Sequence, residues 1–146
     1  MLDALKGAMN KDPKAFTDRT GVRVHGLHVN LAEYIIAGDG YFDFKGYSGL
    51  VQTLKKYLPA EHWLVVTVSN KDYRASLEQL SAFRNYAAHS GNNAKHIARK
   101  VVSQGSITSA GEWLSKHRNG KTRYAKIADD LIKLSERIRS TGSDGS

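Results

Sequence analysis

Apolar positions along this chain recur mostly at helical spacing, three and four residues apart. A weak segment near Leu2 to Met9 ends before Pro13. Val24, Leu27, Leu31, Tyr34 and Ile35 fall on one side of a stronger helix, from about residue 22 to 37, which Gly38 and Gly40 terminate. A loop from Asp39 to Gly49 follows, rich in glycine and aromatic residues. Ser48 starts a shorter helix through Leu50, Val51, Leu54, Tyr57 and Leu58, stopped by Pro59. Trp63-Leu64-Val65-Val66-Thr67-Val68 has the composition of a strand, but no partner strand is evident. It reads as a buried helical or extended connector.

In the second half, Asp72 is placed to cap a helix that runs to about His89. Asn92 or Asn93 starts the next one, with Ala94, Ile97, Ala98 and Val101 facing inward. Ser103 to Gly111 is a polar connection, and Trp113 and Leu114 anchor a short helical turn before Asn119-Gly120. Tyr124, Ile127, Leu131, Leu134 and Ile138 form a regular stripe that predicts a final helix of about 18 residues. Thr141 to Ser146 reads as a disordered tail, and there is neither an internal repeat nor a second domain. The expectation is an all-α bundle of about five to six helices, one domain over residues 1–140.

The helix before His89 carries the chemistry. At about 100° per residue, Tyr73, Leu77, Leu80, Phe83, Ala87 and Ala88 form one apolar arc, with Arg84 near its middle. Asn85 and His89, four residues apart, share an adjoining face with Ser81 and Glu78. An arginine does not discharge by losing its proton, so a buried one needs a paired anion or an interface that brings phosphates. Two structural alternatives stand beside that reading. Arg84 can lay its stem on apolar surface with its head in water, and His89 followed by Gly91 suits a helix C-terminus.

Composition narrows the setting. The 146 residues suffice for one core without staples. They include no cysteine, which excludes disulfides and thiolate metal sites and suits a reducing cytoplasm. Apolar runs such as Trp63 to Val66 are far below membrane-spanning length, and Met1 to Lys6 lacks the features of a secretory signal. The net charge of +8 is uneven: residues 93–146 hold 11 Lys+Arg against 5 Asp+Glu, and residues 1–92 hold 11 against 9. A basic surface attracts polyanions by releasing their counterions, and nucleic acid is the commonest of these.

Arg84, Asn85, Tyr86-Ala87-Ala88 and His89 resemble the signature of the HEPN domain family, an arginine, a polar residue, three variable positions and a histidine on a late helix. The hydrophobic lead-in Leu77, Leu80 and Phe83, the small Ala88 before the histidine and the helical surroundings agree with that family. The resemblance implies a helical bundle and a metal-independent endoribonuclease of toxin or defence type. Its catalytic residues would be Arg84, Asn85 and His89, with Lys95, Arg99 and Lys100 of the next helix as RNA contacts. It further implies a homodimer in which two motifs line one cleft, no cofactor or metal, and an antitoxin or activator as partner. Members that pair with a nucleotidyltransferase antitoxin often carry a tyrosine two positions after the histidine, where this chain has Gly91. A noncatalytic module that binds RNA or nucleotides, or only dimerises, is the family's other form.

The chemistry is self-consistent. RNA brings its own nucleophile, since the ribose 2′-hydroxyl attacks the adjacent phosphate in line. This needs a base, an acid at the leaving 5′-oxygen and positive charge on the phosphorane, and leaves a 2′,3′-cyclic phosphate. A histidine moves the proton and an arginine forks the developing charge. On a continuous helix, however, residues five apart differ by about 140°, so Arg84 and His89 would not stack.

Other constellations carry less. His25 and His28 lack a third helical ligand. Gly120-Lys121-Thr122 lacks the upstream glycine and strand of a phosphate-binding loop. Asp39 and Asp43 lack the spacing of a calcium loop. Tyr41, Phe42, Phe44 and Tyr47 more often anchor a long loop to a core than stack on bases. No recognition-helix motif for DNA is present.

Overall fold

Asp12 ends one helix and starts the next. In the computed structural model, which describes residues 1–23, 36, 45–89, 91–103 and 107–144, α1 spans Leu2–Lys11 and α2 spans Pro13–Thr20. The Asp12 carboxylate accepts the Ala15 N–H at 3.0 Å, and Pro13 takes the first helical position, where a missing N–H is no loss. The apolar pattern alone does not show α2, because Phe16 is its one buried side chain.

Then come α3 (Gly46–Tyr57), α4 (Trp63–Val68), a 3-10 turn (Lys71–Tyr73), α5 (Arg74–Ala88), α6 (Asn92–Val101) and α7 (Ala110–Ser115). A hairpin of β1 (His117–Arg118) and β2 (Lys121–Thr122) leads into α8 (Arg123–Asp144). The fold is all-α, with eight helices among the described residues. That exceeds the expected five to six because α2, α4 and α7 run only 8, 6 and 6 residues. The helix expected from about residue 22 to 37, and the loop after it up to residue 44, lie outside the described residues except at their edges and at Ile36. Ile36 is buried, and its carbonyl accepts the Tyr57 hydroxyl at 3.1 Å.

Several local expectations change. The strand-like run at Trp63 is a helix, begun by His62 Nδ1 accepting the Leu64 N–H at 3.2 Å. Its β-rich composition reflects burial, since Leu64, Val65 and Val68 are core residues. Asn70, not Asp72, starts the motif segment by accepting the Asp72 N–H at 3.0 Å. The final helix has 22 residues and continues into the stretch 141–146 that reads as a tail. Its last turns are packed: Lys11 donates to the Gly142 carbonyl, and a Cβ at Gly142 would lie 3.2 Å from the Trp63 ring.

The described residues form two apolar clusters. The larger gathers α1 to α4, with Leu5, Phe16, Leu50, Leu54, Leu64 and Leu134. The smaller joins Phe83, Tyr86, Ala98, Ile107, Trp113 and Ile127. In it the Phe83 and Trp113 rings stack at 4.2 Å, and Tyr86 donates to the Thr108 carbonyl at 3.0 Å. Helix α5 serves both, giving Leu77 to the first and Phe83 and Tyr86 to the second. Helix α8 does likewise with Leu134 and Ile127, while Tyr124, expected in its buried stripe, is 65% exposed.

Candidate active site

Because α5 packs on two cores, its buried face rotates along its length. Tyr73, Ser76 and Leu77 are buried in the first half, and Ala82, Phe83 and Tyr86 in the second, on the other side of the helix. The flank that would continue Leu77 therefore opens to solvent. Leu80, Arg84, Ala87 and Ala88 all lie there exposed. Arg84 is thus not embedded in the buried stripe that the apolar arc predicts. It lines an open cavity of 620 Å³ between the start of α3, α5 and α6.

The same cavity is lined by Asn85 and His89. His89 reaches it because α5 stops at Ala88: His89 has φ −133° and ψ 90°, and its N–H still bonds the Asn85 carbonyl at 2.8 Å. The wheel separation of about 140° applies only to a helix that continues, and this one does not. Gly91 is the N-cap of α6 with φ −66°, so it is not the left-handed cap that the sequence suggests for α5.

Glu78 and Ser81 form the next part of the wall, on the face they share with Asn85. They hold the first turn of α3: the Gly46 N–H donates to Ser81 Oγ at 3.1 Å, and the Ser48 N–H to Glu78 Oε1 at 3.4 Å. A carboxylate at a helix N-terminus is favourable for that helix. Gly46 has φ +66°, and a Cβ there would fall 2.1 Å from Glu78 Oε2, so the contact demands glycine. Helix α3 consequently begins at Gly46, two residues before the expected Ser48. Lys45 completes this side, and among the described residues the cavity has three basic side chains, Lys45, Arg84 and His89, against one acid.

Helix α6 supplies the opposite wall through Asn93, Ala94, Ile97 and Val101. Ile97, expected to face inward, is 43% exposed here, and only Ala98 is fully buried on this helix. None of the expected RNA contacts lines the cavity. Lys95 and Arg99, both half-buried, lie on the far flank of α6, beyond the buried Ala98, whereas Lys100 is exposed beside the Asn93–Ile97 stripe.

No family model, curated protein or solved structure matches the chain. Among the described residues, no group of three His, Cys, Asp or Glu is placed to hold a metal ion, and His25, His28, Asp39 and Asp43 lie outside them. Tyr41, Phe42 and Phe44 also lie outside; Tyr47 packs against the larger core and donates to the Ser69 carbonyl. No described helix is long and apolar enough to cross a membrane. Gly120-Lys121-Thr122 is the return of the hairpin, not a phosphate-binding loop. Sequence reasoning missed Lys45 and Gly46 as cavity walls, since the α5 residues that Gly46 meets, Glu78 and Ser81, are more than thirty residues further along the chain. It also missed the hairpin, although Asn119-Gly120 between basic flanks is a two-residue turn signal.

Proposed function

We propose that this chain is a metal-independent endoribonuclease of toxin or defence type, acting in the cytoplasm at a composite site between two copies. The observation that carries the reading is the meeting of Arg84, Asn85 and His89 in one open cavity, brought about by the end of α5 at Ala88. In this reading the ribose 2′-hydroxyl attacks the adjacent phosphorus in line. His89 transfers the proton, Arg84 stabilises the phosphorane oxygens, and Asn85 orients the imidazole or the phosphate. The 5′-oxygen leaves with a proton, giving a 2′,3′-cyclic phosphate and a 5′-hydroxyl.

Among the described residues, one chain brings one histidine to the cavity, and the reaction uses both a base and an acid. A second copy would supply the other. The exposed strip of Leu80, Ala87 and Ala88 around Arg84, together with Ile97, is the surface on which it would sit. The single histidine also favours a second reading, a noncatalytic module that binds RNA or dimerises through the same face. Cleavage of RNA by wild type, Arg84→Ala and His89→Ala, paired with sedimentation of each, separates the two. A nuclease loses cleavage in both variants while remaining folded and dimeric. A strictly monomeric protein with full activity would contradict the composite site. An antitoxin or activator partner belongs to this proposal, as do phosphate contacts by Lys95, Arg99 and Lys100 outside the cavity.

A further inference from the structure

A second cleft lies on the other flank of α5. Ala75, Ser76 and Gln79 form its floor, on a side of the helix away from Glu78, Ser81 and Asn85. Its volume is 390 Å³, and the hairpin and first turns of α8 make its rim. The segment 116–126 holds five Lys or Arg residues and no acid, the densest positive stretch in the chain. Arg118, Lys121, Arg123 and Lys126 of this segment line the cleft.

Three features make these cations more than a solvated face. The hairpin is a fixed arm: Asn119 and Gly120 have φ 54° and 80°, the pair of left-handed residues of a tight two-residue turn, with Arg118 paired to Lys121 across it. The Arg123 guanidinium is held over the Trp113 ring at 4.4 Å, and Phe83 stacks behind that ring. Its plane is thus set before any ligand arrives, which suits stacking on an unpaired base or forking a phosphate. Among the described residues two acids face the cleft, but Asp130 is occupied by Lys126 at 2.6 Å and by Ser76 at 2.6 Å. Asp72 remains at the edge. Lys121 pairs with Asp129 at 2.6 Å in an exposed bridge that a phosphate exchanges at little cost, and Arg118 has no acidic partner among the described residues.

We propose that the hairpin and this cleft form a second nucleic-acid site, which takes the phosphate backbone of single-stranded RNA separately from the His89 cavity. That the strand is RNA rests on the ribonuclease reading; that it is a polyanion with unpaired bases rests on the cleft.

The test is fluorescence anisotropy with a labelled 2′-O-methyl oligoribonucleotide, whose blocked 2′-oxygen prevents cleavage, titrated over about 50 to 200 mM salt. Arg118→Ala/Lys121→Ala changes two exposed side chains and should bind about tenfold more weakly, with a salt slope lower by about 1.4, for two lost phosphate contacts. Lys14→Ala, an exposed change on α2 outside both cavities, should bind as wild type does. Affinity and slope unchanged in the double variant would overturn the proposal, as would failure of the wild type to bind. Tighter binding of the same sequence as DNA would overturn its assignment to RNA. The two readings fail separately: His89-dependent cleavage with an unaffected double variant sinks this site alone. Binding that needs Arg118 and Lys121 in a protein that cleaves nothing supports this site and sinks the nuclease.

Discussion

Gly46→Ala tests the wall of the cavity. The added Cβ would lie 2.1 Å from Glu78 Oε2 and 2.8 Å from its Cδ, so the carboxylate must swing away. It then gives up the Ser48 N–H and its place at the start of α3, worth about 0.3–1 kcal/mol. An alanine at φ +66° adds about 1 kcal/mol of backbone strain. The sum is about 1.3–2 kcal/mol, or a fall of about 3–8 °C in Tm for a chain of this size. Urea unfolding of wild type, Gly46→Ala, Glu78→Ala and the double variant measures it. If the clash is the cause, the alanine should cost only its backbone strain, about 1 kcal/mol, once Glu78 is gone. A Gly46→Ala variant within about 0.5 kcal/mol of wild type, or strict additivity with Glu78→Ala, would refute the contact.

Other parts of the molecule make independent predictions. Burial holds the His62 imidazole below its ordinary pKa, with Asp12 opposing in part, and its Nε2 is buried without a partner. The unfolded chain therefore takes up this proton first: stability present above about pH 6.5 is lost as pH falls through the folded value. His62→Asn, which keeps an acceptor for the Leu64 N–H, should flatten that dependence in urea midpoints; an unchanged slope would exonerate His62. Burial alone would raise the Asp130 carboxyl, but hydrogen bonds from Lys126 and Ser76 outweigh it and hold the group below the usual carboxylate range. Asp130→Ala should cost about 1–3 kcal/mol by stranding the buried Ser76 hydroxyl, and adding Ser76→Ala should recover part of it. Arg84→Leu should leave stability within about 0.5 kcal/mol while abolishing cleavage; a large loss of stability would make Arg84 structural.

Helices that bury one continuous face were legible in the sequence. Leu50, Leu54 and Tyr57 on α3, and Ile127 and Leu134 on α8, sit where helical spacing puts them. Reading failed on α5, whose two cores lie on different sides of the helix. On α5 the buried face turns between Leu77 and Phe83, so one wheel drawn over the whole helix places Arg84 inside when it is outside. Arg84, Asn85 and His89 were legible as a set. What unites them was not, because it depends on α5 ending one residue before His89, and helix ends blur by a residue or two in any pattern. The long-range wall from Gly46 to Glu78 has no local signature. The capping pair Ser109 and Glu112, by contrast, and the Asn119-Gly120 turn were both written in the chain.

The most direct test of the central claim is cleavage of a mixed RNA pool in EDTA by wild type and by His89→Ala, with end-group analysis of the products. The account predicts cleavage by wild type only, leaving 2′,3′-cyclic phosphate and 5′-hydroxyl ends. Equal cleavage by both proteins, or none by a folded and dimeric wild type, would contradict it.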